Sequence, residues 1–360
     1  MNFLFVGGSN TLIKNGYVEK FQTLYKEHTK KEISVTNIAI GANSSIHGIE
    51  LLKKRQDLNQ YDCIVVEYVV NDYAISTETT IHTWRQAYEG LLRFLIKNCN
   101  PQARIINLVL GRRDKHTLQR QRILTEEISG FVEKYKFHFQ IEILDITKML
   151  LQNFDVSKGL YASLYQDDAH YSTPFGSTLI GSLLLNHVLS EVENIKIGTP
   201  ILPENKSTFE QSVVLDAADF SESIRVFENS RLHIKAMTIN GQSSFELEIP
   251  GSLIAFSYIS TFDCLSLVVS EEGEEPFLID CRHSWPKSDH SRFMLKNFSL
   301  DWKSWEDEPK PRKLKFTAIT EQNRKKTGVK KYIRQHNISA PEEPSIPDAM
   351  FYLSTLLIKK

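Results

Sequence analysis

This chain of 360 residues has few cysteines and no long apolar run. The four cysteines form no Cys-x-x-Cys pair and are widely separated, at Cys63, Cys99, Cys264 and Cys281. That spacing predicts reduced thiols, with neither a disulfide framework nor a zinc site. No stretch approaches the roughly 18 apolar residues that a membrane-spanning helix needs. No basic segment followed by an apolar run opens the sequence, so we expect no signal peptide and a cytoplasmic location.

The chain also lacks an excess of either charge. Lysine and arginine number 43 against 44 aspartates and glutamates, which gives a formal net charge of -1. A near-neutral chain has no overall attraction for polyanions, so we expect no nucleic-acid partner. Because a long apolar run is lacking, we also expect no insertion into a membrane. Neither Gly-x-Gly-x-x-Gly nor Gly-x-x-x-x-Gly-Lys-[Ser/Thr] occurs, and no phosphate-binding glycine loop is predicted.

The first half of the chain alternates apolar runs with amphipathic runs. Five apolar runs predict strands, at residues 3–6, 33–40, 63–70, 104–110 and 141–145. The third run is almost continuously apolar, which is typical of a strand buried on both faces of a parallel sheet. Strands that alternate with helices predict a three-layer α/β/α domain over residues 1–198, with all strand ends on one side.

The pattern changes near Gly198. Over residues 199–360, short runs alternate apolar and polar residues and are separated by turn pairs such as Asn240-Gly241 and Pro250-Gly251. This pattern predicts a second domain that is an antiparallel β-sandwich.

The second domain contains a long polar segment at about residues 303–347. Within it, residues 310–334 carry ten lysines and arginines against one acidic residue, Glu321. A charge run of this kind predicts a solvated loop, with a site for an anionic polymer as the alternative. The apolar end of the chain, residues 349–358, is predicted to return to the core as a strand.

The first strand leads directly into Gly7-Gly8-Ser9-Asn10 and then into a helical pattern. Strand, glycine turn, serine and helix are the parts of a nucleophile elbow, which presents the serine hydroxyl at the edge of a sheet. The same residues also fit a turn followed by an N-cap serine without a catalytic role. The catalytic interpretation of Ser9 therefore requires a base, an orienting acid and oxyanion donors elsewhere.

Candidates for those roles follow other predicted strands or precede a helix. Gly41 and Asn71 end the second and third predicted strands, and Asp167 and His170 lie in a loop before the last helix. In an open α/β sheet such positions gather at one edge. His170 is suited to act as base at neutral pH, and Asp167 to hold its tautomer. The Ser9 and Gly41 N–H groups and the Asn71 amide are suited to bind an oxyanion.

Four blocks, in this order, resemble those of the SGNH hydrolases, also called GDSL-type esterases: Gly7-Gly8-Ser9-Asn10, Gly41, Asn71-Asp72 and Asp167-Asp168-Ala169-His170. The resemblance covers residues 1 to about 195 and implies a flavodoxin-like fold and ester chemistry with no metal and no bound cofactor. It implies that Ser9 is the nucleophile, His170 the base and Asp167 the orienting acid. It also implies an oxyanion hole formed by Ser9, Gly41 and Asn71.

The chain departs from the family pattern at two positions. The acidic residue usual before the serine is Gly8, so we expect the turn to be held by its backbone. The glycine usual two residues before the asparagine is Val69, which we expect to narrow the space beside the oxyanion hole or to alter the approach of the substrate. Asp168 is a rival to Asp167 for the third role, although the family spacing favours Asp167.

Other polar residues admit two interpretations each. Glu67 interrupts an apolar strand and either supports the site from behind or lies at a sheet edge. Asp72 is predicted to cap a helix or hold a loop. Arg112 and Arg113 follow the fourth strand and either meet an anionic substrate, such as a CoA phosphate, or are solvated. His47 either lines the pocket or lies on the surface or in the first turn of a helix.

The resemblance implies an esterase that removes O-acyl groups, expected to be O-acetyl groups, from a carbohydrate, because such domains joined to a β domain often act on glycans. One alternative is a polysaccharide O-acetyltransferase that uses the same acyl-enzyme with acetyl-CoA as co-substrate. An alternative of another class is a non-catalytic carbohydrate-binding protein. The sequence makes no prediction of the oligomeric state.

Overall fold

The computed structural model of the protein describes most of the chain: residues 1–153, 155, 159–190, 202, 205–241, 243–261, 264–281, 292–303, 305, 309–320, 323, 327–334 and 349–360. Two compact units divide the chain, Met1–Glu210 and Gln211–Lys360. In the part of the chain that is described, no helix is both long and apolar enough to cross a membrane.

The first unit is built on a parallel sheet. Its five described strands are β1 (Asn2–Gly7), β2 (Ser34–Asn37), β3 (Cys63–Glu67), β4 (Arg104–Val109) and β5 (Gln140–Asp145). Their order is β2-β1-β3-β4-β5, and every neighbouring pair is parallel. This is the flavodoxin-like order, whose winding reverses between β1 and β3, and ligands bind at that switch point. The predicted parallel sheet is therefore confirmed.

Helices cover both faces of this sheet. They are α1 (Ser9–Leu12), α2 (Tyr17–Thr29), α3 (Ser45–Lys53), α4 (Val69–Asp72), α5 (Ile81–Asn98), α6 (Lys115–Tyr135), α7 (Ile146–Asn153), α8 (Gly159–Ser163) and α9 (Phe175–Leu189). Phe5 of β1 belongs to a core cluster with Phe21 of α2 and Ile180 of α9. On the other face, the Tyr88 hydroxyl of α5 donates to Asn107 Oδ1 of β4 at 2.9 Å. Alternate strand residues thus serve opposite layers, and the three-layer prediction is confirmed.

The third strand is shorter than predicted. It was expected over residues 63–70, but it ends at Glu67, and the next residues turn into the short helix α4. The Tyr68 carbonyl accepts the N–H groups of Asn71 at 2.9 Å and Asp72 at 2.8 Å. The apolar run continues because Val69 and Val70 stay buried within the helical turn. Asn71 therefore follows the strand on a helical turn instead of ending it.

The first unit continues past the predicted boundary. Gly198 lies outside the described residues, and the compact unit includes Glu210. The buried Glu210 carboxylate pairs with Arg93, at 2.5 Å, and with Lys97, while Lys53 donates to its carbonyl oxygen at 2.6 Å. These pairs hold the chain around Glu210 against the first unit, whereas the change in sequence pattern predicted a boundary near Gly198.

The second unit consists of two β-sheets. Its strands are β6 (Val213–Asp216), β7 (Ile224–Glu228), β8 (His233–Asn240), β9 (Ser244–Ile249), β10 (Ser252–Ser260), β11 (Ser266–Glu271), β12 (Phe277–Asp280), β13 (Met294–Ser299), β14 (Arg312–Ile319), β15 (Lys331–Arg334) and β16 (Met350–Lys359). One sheet has the order β13-β10-β16-β8-β7, with β6 also on β16, and the other β15-β12-β11-β14-β9. The described pairs are antiparallel except β12 with β15.

Both sheets contribute to one core. Phe256 of β10 and Phe316 of β14 belong to the same buried cluster, and their ring centroids lie 5.5 Å apart. Two sheets that face a shared core form a sandwich, so the predicted fold class of this unit is confirmed.

The basic segment contains strands where a loop was predicted. Within residues 303–347, β14 and β15 are part of a sheet. In β14, Leu314 and Phe316 are buried, whereas Lys313 and Lys315 are exposed. The lysines occupy the solvent face of the strand, and their abundance conceals the apolar alternation. Residues 304, 306–308, 321–322, 324–326 and 335–347 of the predicted loop lie outside the described residues.

Candidate active site

The turn between β1 and α1 places Ser9 at the first position of α1. A Cβ atom on Gly7 would lie 2.7 Å from the Glu67 carbonyl oxygen, and one on Gly8 would lie 1.9 Å from Asn71 Oδ1. Close approach, not an unusual φ, therefore requires both glycines, since Gly8 has a φ of -94°. The turn is held by its backbone, because the Gly8 N–H donates to the Glu67 carbonyl at 3.1 Å.

The structure brings Ser9, His170 and Asp167 together in one row. Ser9 Oγ lies 2.8 Å from His170 Nε2. On the other side of the imidazole, Nδ1 lies 2.8 Å from Asp167 Oδ2 and 3.0 Å from Oδ1. With the proton on Nδ1, the serine hydroxyl donates to Nε2, which is the arrangement that activates a serine nucleophile.

The environment of Asp167 keeps its carboxylate ionised. Partial burial acts to raise its pKa, but the N–H groups of Ala169 and His170, each 2.8 Å from Oδ1, and the imidazole outweigh it. The net effect is a pKa below the ordinary value of an aspartate. An ionised Asp167 is suited to hold a proton on Nδ1 and to stabilise a positively charged imidazole.

Asp168 points to a different partner. Its carboxylate pairs with the Arg113 guanidinium, and its carbonyl accepts the Arg113 N–H at 3.0 Å. In the structure, therefore, Asp167 contacts the His170 imidazole and Asp168 pairs with Arg113 instead. Arg113 is an ion-pair partner of the base loop, which we define as residues 167–171.

Asn10 is a residue of this site that the sequence reasoning did not single out. Its amide nitrogen donates to the Ala169 carbonyl at 2.9 Å, and its amide oxygen accepts the Tyr171 N–H at 3.0 Å. These two bonds bracket His170, and Asn10 is 3% exposed. Its position beside Ser9 was a signal, but the separation from the base loop, 159 and 161 residues, concealed the contact.

Gly41 and Asn71 also lie close to the turn that carries Ser9. The Ile40 N–H donates to the Gly7 carbonyl at 3.1 Å, so the chain after β2 follows β1 to its end. A Cβ atom on Gly41 would lie 3.6 Å from Ser9 Cβ. Asn71 lies against Gly8 through its amide oxygen, so the NH2 end is the one farther from the turn.

Val69, the second departure from the family pattern, is buried in α4 at 1% exposure. Its effect on the space beside the oxyanion hole stays a prediction.

Glu67 is buried beneath the turn at 0% exposure. Its Oε2 accepts the Thr11 hydroxyl at 2.9 Å, and the Thr11 oxygen lies 2.9 Å from the Tyr17 hydroxyl. Burial raises the pKa of Glu67 to about 8, against the effect of the hydrogen bonds from Thr11 and Gly8. Because β3 lies between β1 and β4, the sheet-edge interpretation of Glu67 is wrong, and the residue supports the elbow from behind.

Asp72 is equally buried. Its Oδ1 accepts the Ser45 N–H at 2.9 Å, and its Oδ2 accepts the Trp84 indole N–H at 2.8 Å. Burial raises the pKa of Asp72 to about 6, although the hydrogen bonds from Ser45 and Trp84 lower it. Asp72 thus holds the N-terminus of α3.

The remaining candidates also have defined places. His47 lies buried in the first turn of α3 at 0% exposure. The Arg112 guanidinium lies 4.3 Å from the ring centroid of Tyr73, two residues after Asn71, so Arg112 is stacked and not freely solvated. Contact of Arg112 with an anionic substrate stays a prediction. Within the described residues, no group of three His, Cys, Asp or Glu side chains is arranged to hold a metal ion.

Comparisons with known proteins yield matches in structure only. No protein-family model matches the chain, and no curated protein matches it either. A two-domain esterase (CEX) active on acetylated mannans is similar over 100% of this chain and 92% of that chain, with 17% identity and a TM-score of 0.65.

The same two-domain esterase, co-crystallised with mannopentaose, covers 100% of this chain and 91% of that chain, with 16% identity and a TM-score of 0.65. At this level of identity the similarity concerns the fold. The chain therefore has the fold of this two-domain esterase.

Proposed function

We propose that the protein is a serine esterase that removes O-acetyl groups from a carbohydrate through an acyl-enzyme. The observation that carries the proposal is the hydrogen-bonded row in which His170 Nε2 lies 2.8 Å from Ser9 Oγ and Nδ1 lies 2.8 Å from Asp167. A serine with a base and an orienting carboxylate in this geometry is suited to acyl transfer.

In the first step Ser9 Oγ attacks the carbonyl carbon of the ester while His170 Nε2 accepts the hydroxyl proton. The negative charge on the former carbonyl oxygen is bound by the N–H groups of Ser9 and Gly41 and by the Asn71 amide. Such donors stabilise the transition state by about 2.7–4 kcal/mol each. The bond to the sugar oxygen then breaks, and His170 returns the proton to that oxygen.

In the second step a water molecule attacks the acetyl-serine. His170 accepts the proton of the water, the oxyanion forms again in the same place, and Ser9 Oγ leaves with the proton from His170. The products are acetate and free enzyme. Asp167 stays ionised in both steps, as its lowered pKa favours, and stabilises the transient imidazolium.

Two observations support a carbohydrate as the alcohol part of the ester. The two-domain esterase with the same fold acts on acetylated mannans and was crystallised with mannopentaose. The side chains of Asp167 and His170 are 50% and 32% exposed, so the base loop leaves the serine open to a bulky substrate.

The test measures acetate release from acetylated manno-oligosaccharides and hydrolysis of p-nitrophenyl acetate. Ser9→Ala removes the nucleophile and is expected to lower kcat about 10⁴-fold or more. Ser129→Ala is the matched control, because that hydroxyl only donates to the Thr125 carbonyl on α6 and its loss should leave kcat unchanged. Equal activity of the wild type and Ser9→Ala would refute the proposal. No turnover by the wild type would favour the non-catalytic carbohydrate-binding alternative.

The acetyltransferase alternative uses the same acyl-enzyme and differs in the acceptor. Unacetylated oligosaccharides incubated with acetyl-CoA would gain acetyl groups in the mass spectrum under that alternative and stay unchanged under the esterase proposal. The absence of a bound cofactor and the cytoplasmic location expected from the sequence stay predictions.

A further inference from the structure

We propose that Asp72 is a positioning residue that holds Gly41 and Asn71, the two oxyanion donors outside the elbow, in a single arrangement around Ser9. The inference rests on the proposed function. It concerns a side chain that touches neither Ser9 nor His170 in the structure and that acts through its neighbours.

The first link joins Asp72 to Asn71. The two residues are adjacent in α4, and both N–H groups donate to the Tyr68 carbonyl. Asn71 Oδ1 in turn lies against Gly8, at the place that a Cβ atom there would occupy. A shift of the Asp72 backbone would therefore move the Asn71 amide along the wall of the oxyanion hole.

The second link joins Asp72 to the Gly41 loop, which we define as residues 41–45. Asp72 Oδ1 accepts the N–H of Ser45, the last residue of that loop, and the Asn43 amide donates to the Gly41 carbonyl at 3.3 Å. Ala42 has a φ of 58°, in the left-handed region that disfavours alanine. Such a conformation persists only where its surroundings hold it, and the Ser45 bond to Asp72 is one such restraint.

The third link fixes the carboxylate itself. Asp72 Oδ2 accepts the indole N–H of Trp84 in α5, and both side chains are 0% exposed. Burying a carboxylate is costly unless donors satisfy it, and here two N–H groups from different elements do so. Its titratable neighbours include Glu67, Tyr68 and Tyr88. Burial is the largest cause that raises their pKa values, and the Asp72 charge raises them further by a smaller amount.

From the position of Asp72 we expect that its replacement lowers kcat more than it changes KM. Oxyanion donors act on a charge that exists only in the transition state, so displacing them lowers kcat and leaves KM nearly unchanged. Complete loss of one donor lowers kcat by about 10²–10³-fold. Because misplaced donors keep part of their effect, we expect about a 10–100-fold loss from an Asp72 variant.

The test compares Asp72→Asn and Ser45→Pro with Tyr88→Phe. Asn keeps the size of the side chain but can accept only one of the two N–H groups. Pro deletes the Ser45 donor at the first position of α3, where proline is well tolerated, and Ser44 already has the extended conformation that precedes it. Tyr88→Phe removes a buried hydrogen bond to Asn107 from α5 and is the matched control for lost stability.

The expected result is a kcat about 10–100-fold lower in Asp72→Asn and Ser45→Pro, with KM within about 3-fold of the wild type. Tyr88→Phe should keep kcat within about 2-fold at a similar melting temperature. Hydrogen exchange should quicken in residues 41–45 for the first two variants only, and this readout does not require activity.

An unchanged kcat in a folded Asp72→Asn, or losses that follow the melting temperature in all three variants, would overturn the inference. An inactive wild type would count against the proposed function alone. In that case unchanged exchange in residues 41–45 would overturn the role of Asp72 by itself.

Discussion

Two groups of loops meet at Ser9, and the structure holds them in different ways. The base loop lies near the surface and is held by the Asn10 amide and by the exposed pair of Arg113 with Asp168. The other side, where Gly41 and Asn71 are proposed to bind an oxyanion, is held from the interior, by the fully buried carboxyl groups of Glu67 and Asp72. We call it the oxyanion side.

The carboxyl groups on the two sides have opposite pKa shifts. Near the surface, backbone and imidazole donors outweigh partial burial and lower the pKa of Asp167. In the interior, burial dominates and raises the pKa of Asp72 to about 6 and that of Glu67 to about 8. One type of side chain therefore serves as an ionised partner of the base on one side and as a buried acceptor on the other.

The largest effect that would test this comparison is expected from Gly8→Ala on the oxyanion side. Its Cβ atom would lie 1.9 Å from Asn71 Oδ1, so the Asn71 amide must move out of the position proposed for an oxyanion donor. Steady-state kinetics should show a kcat about 10²–10³-fold lower, as for loss of one donor. Gly130→Ala in α6 is the control, since its Cβ atom would meet nothing within 4 Å, and kcat should be unchanged. Equal kcat values for both variants would show that the close approach of Gly8 to Asn71 has no role in catalysis.

A smaller effect is expected on the base side, from Asn10→Ala. The change breaks one buried and one partly buried hydrogen bond that bracket His170, and such losses cost about 1–3 kcal/mol each. We expect kcat to fall about 10–100-fold in ester hydrolysis.

Asp168→Asn is the matched variant for Asn10, because its ion pair holds the same base loop but is exposed and contributes about 0–1 kcal/mol. Its kcat should change less than about 3-fold. A larger loss for Asp168→Asn than for Asn10→Ala would show that the surface pair holds the base loop.

The smallest effect on kcat is expected in Glu67→Gln, which tests stability instead of rate. Folded Glu67 retains its proton up to about pH 8, whereas the unfolded chain releases it near the ordinary value of 4.5. The folded state binds more protons in this window, so Glu67 makes the wild type less stable as pH rises from 4.5 to 8. Glutamine does not titrate, so the stability of the variant relative to the wild type should increase across that window.

Urea unfolding at pH 5, 7 and 9 measures this difference. Because the Asp72 charge also raises the pKa of Glu67, the difference reports Glu67 together with its coupling to Asp72. Parallel stability curves for the wild type and Glu67→Gln would contradict a raised pKa at Glu67.

The sequence alone determined the features that depend on short separations. The order of strand, Gly7-Gly8 turn and Ser9 is local, and so is the three-residue spacing that gives the contact of Asp167 with His170. The alternation of strands and helices predicted the parallel sheet. Because sites in such sheets assemble at one edge, it also predicted that Gly41, Asn71 and His170 lie near Ser9.

Only the tertiary structure decided how that site is held. The bonds of Asn10 to the base loop span about 160 residues, and the bond of Asp72 to Ser45 spans 27. Such contacts depend on which strands are neighbours and in which register, and composition carries neither. The sequence also did not predict the helical turn of α4, which places Asn71 against Gly8. Val69 and Val70 are buried there and would be apolar in a strand or in a helix, so the apolar run does not distinguish the two.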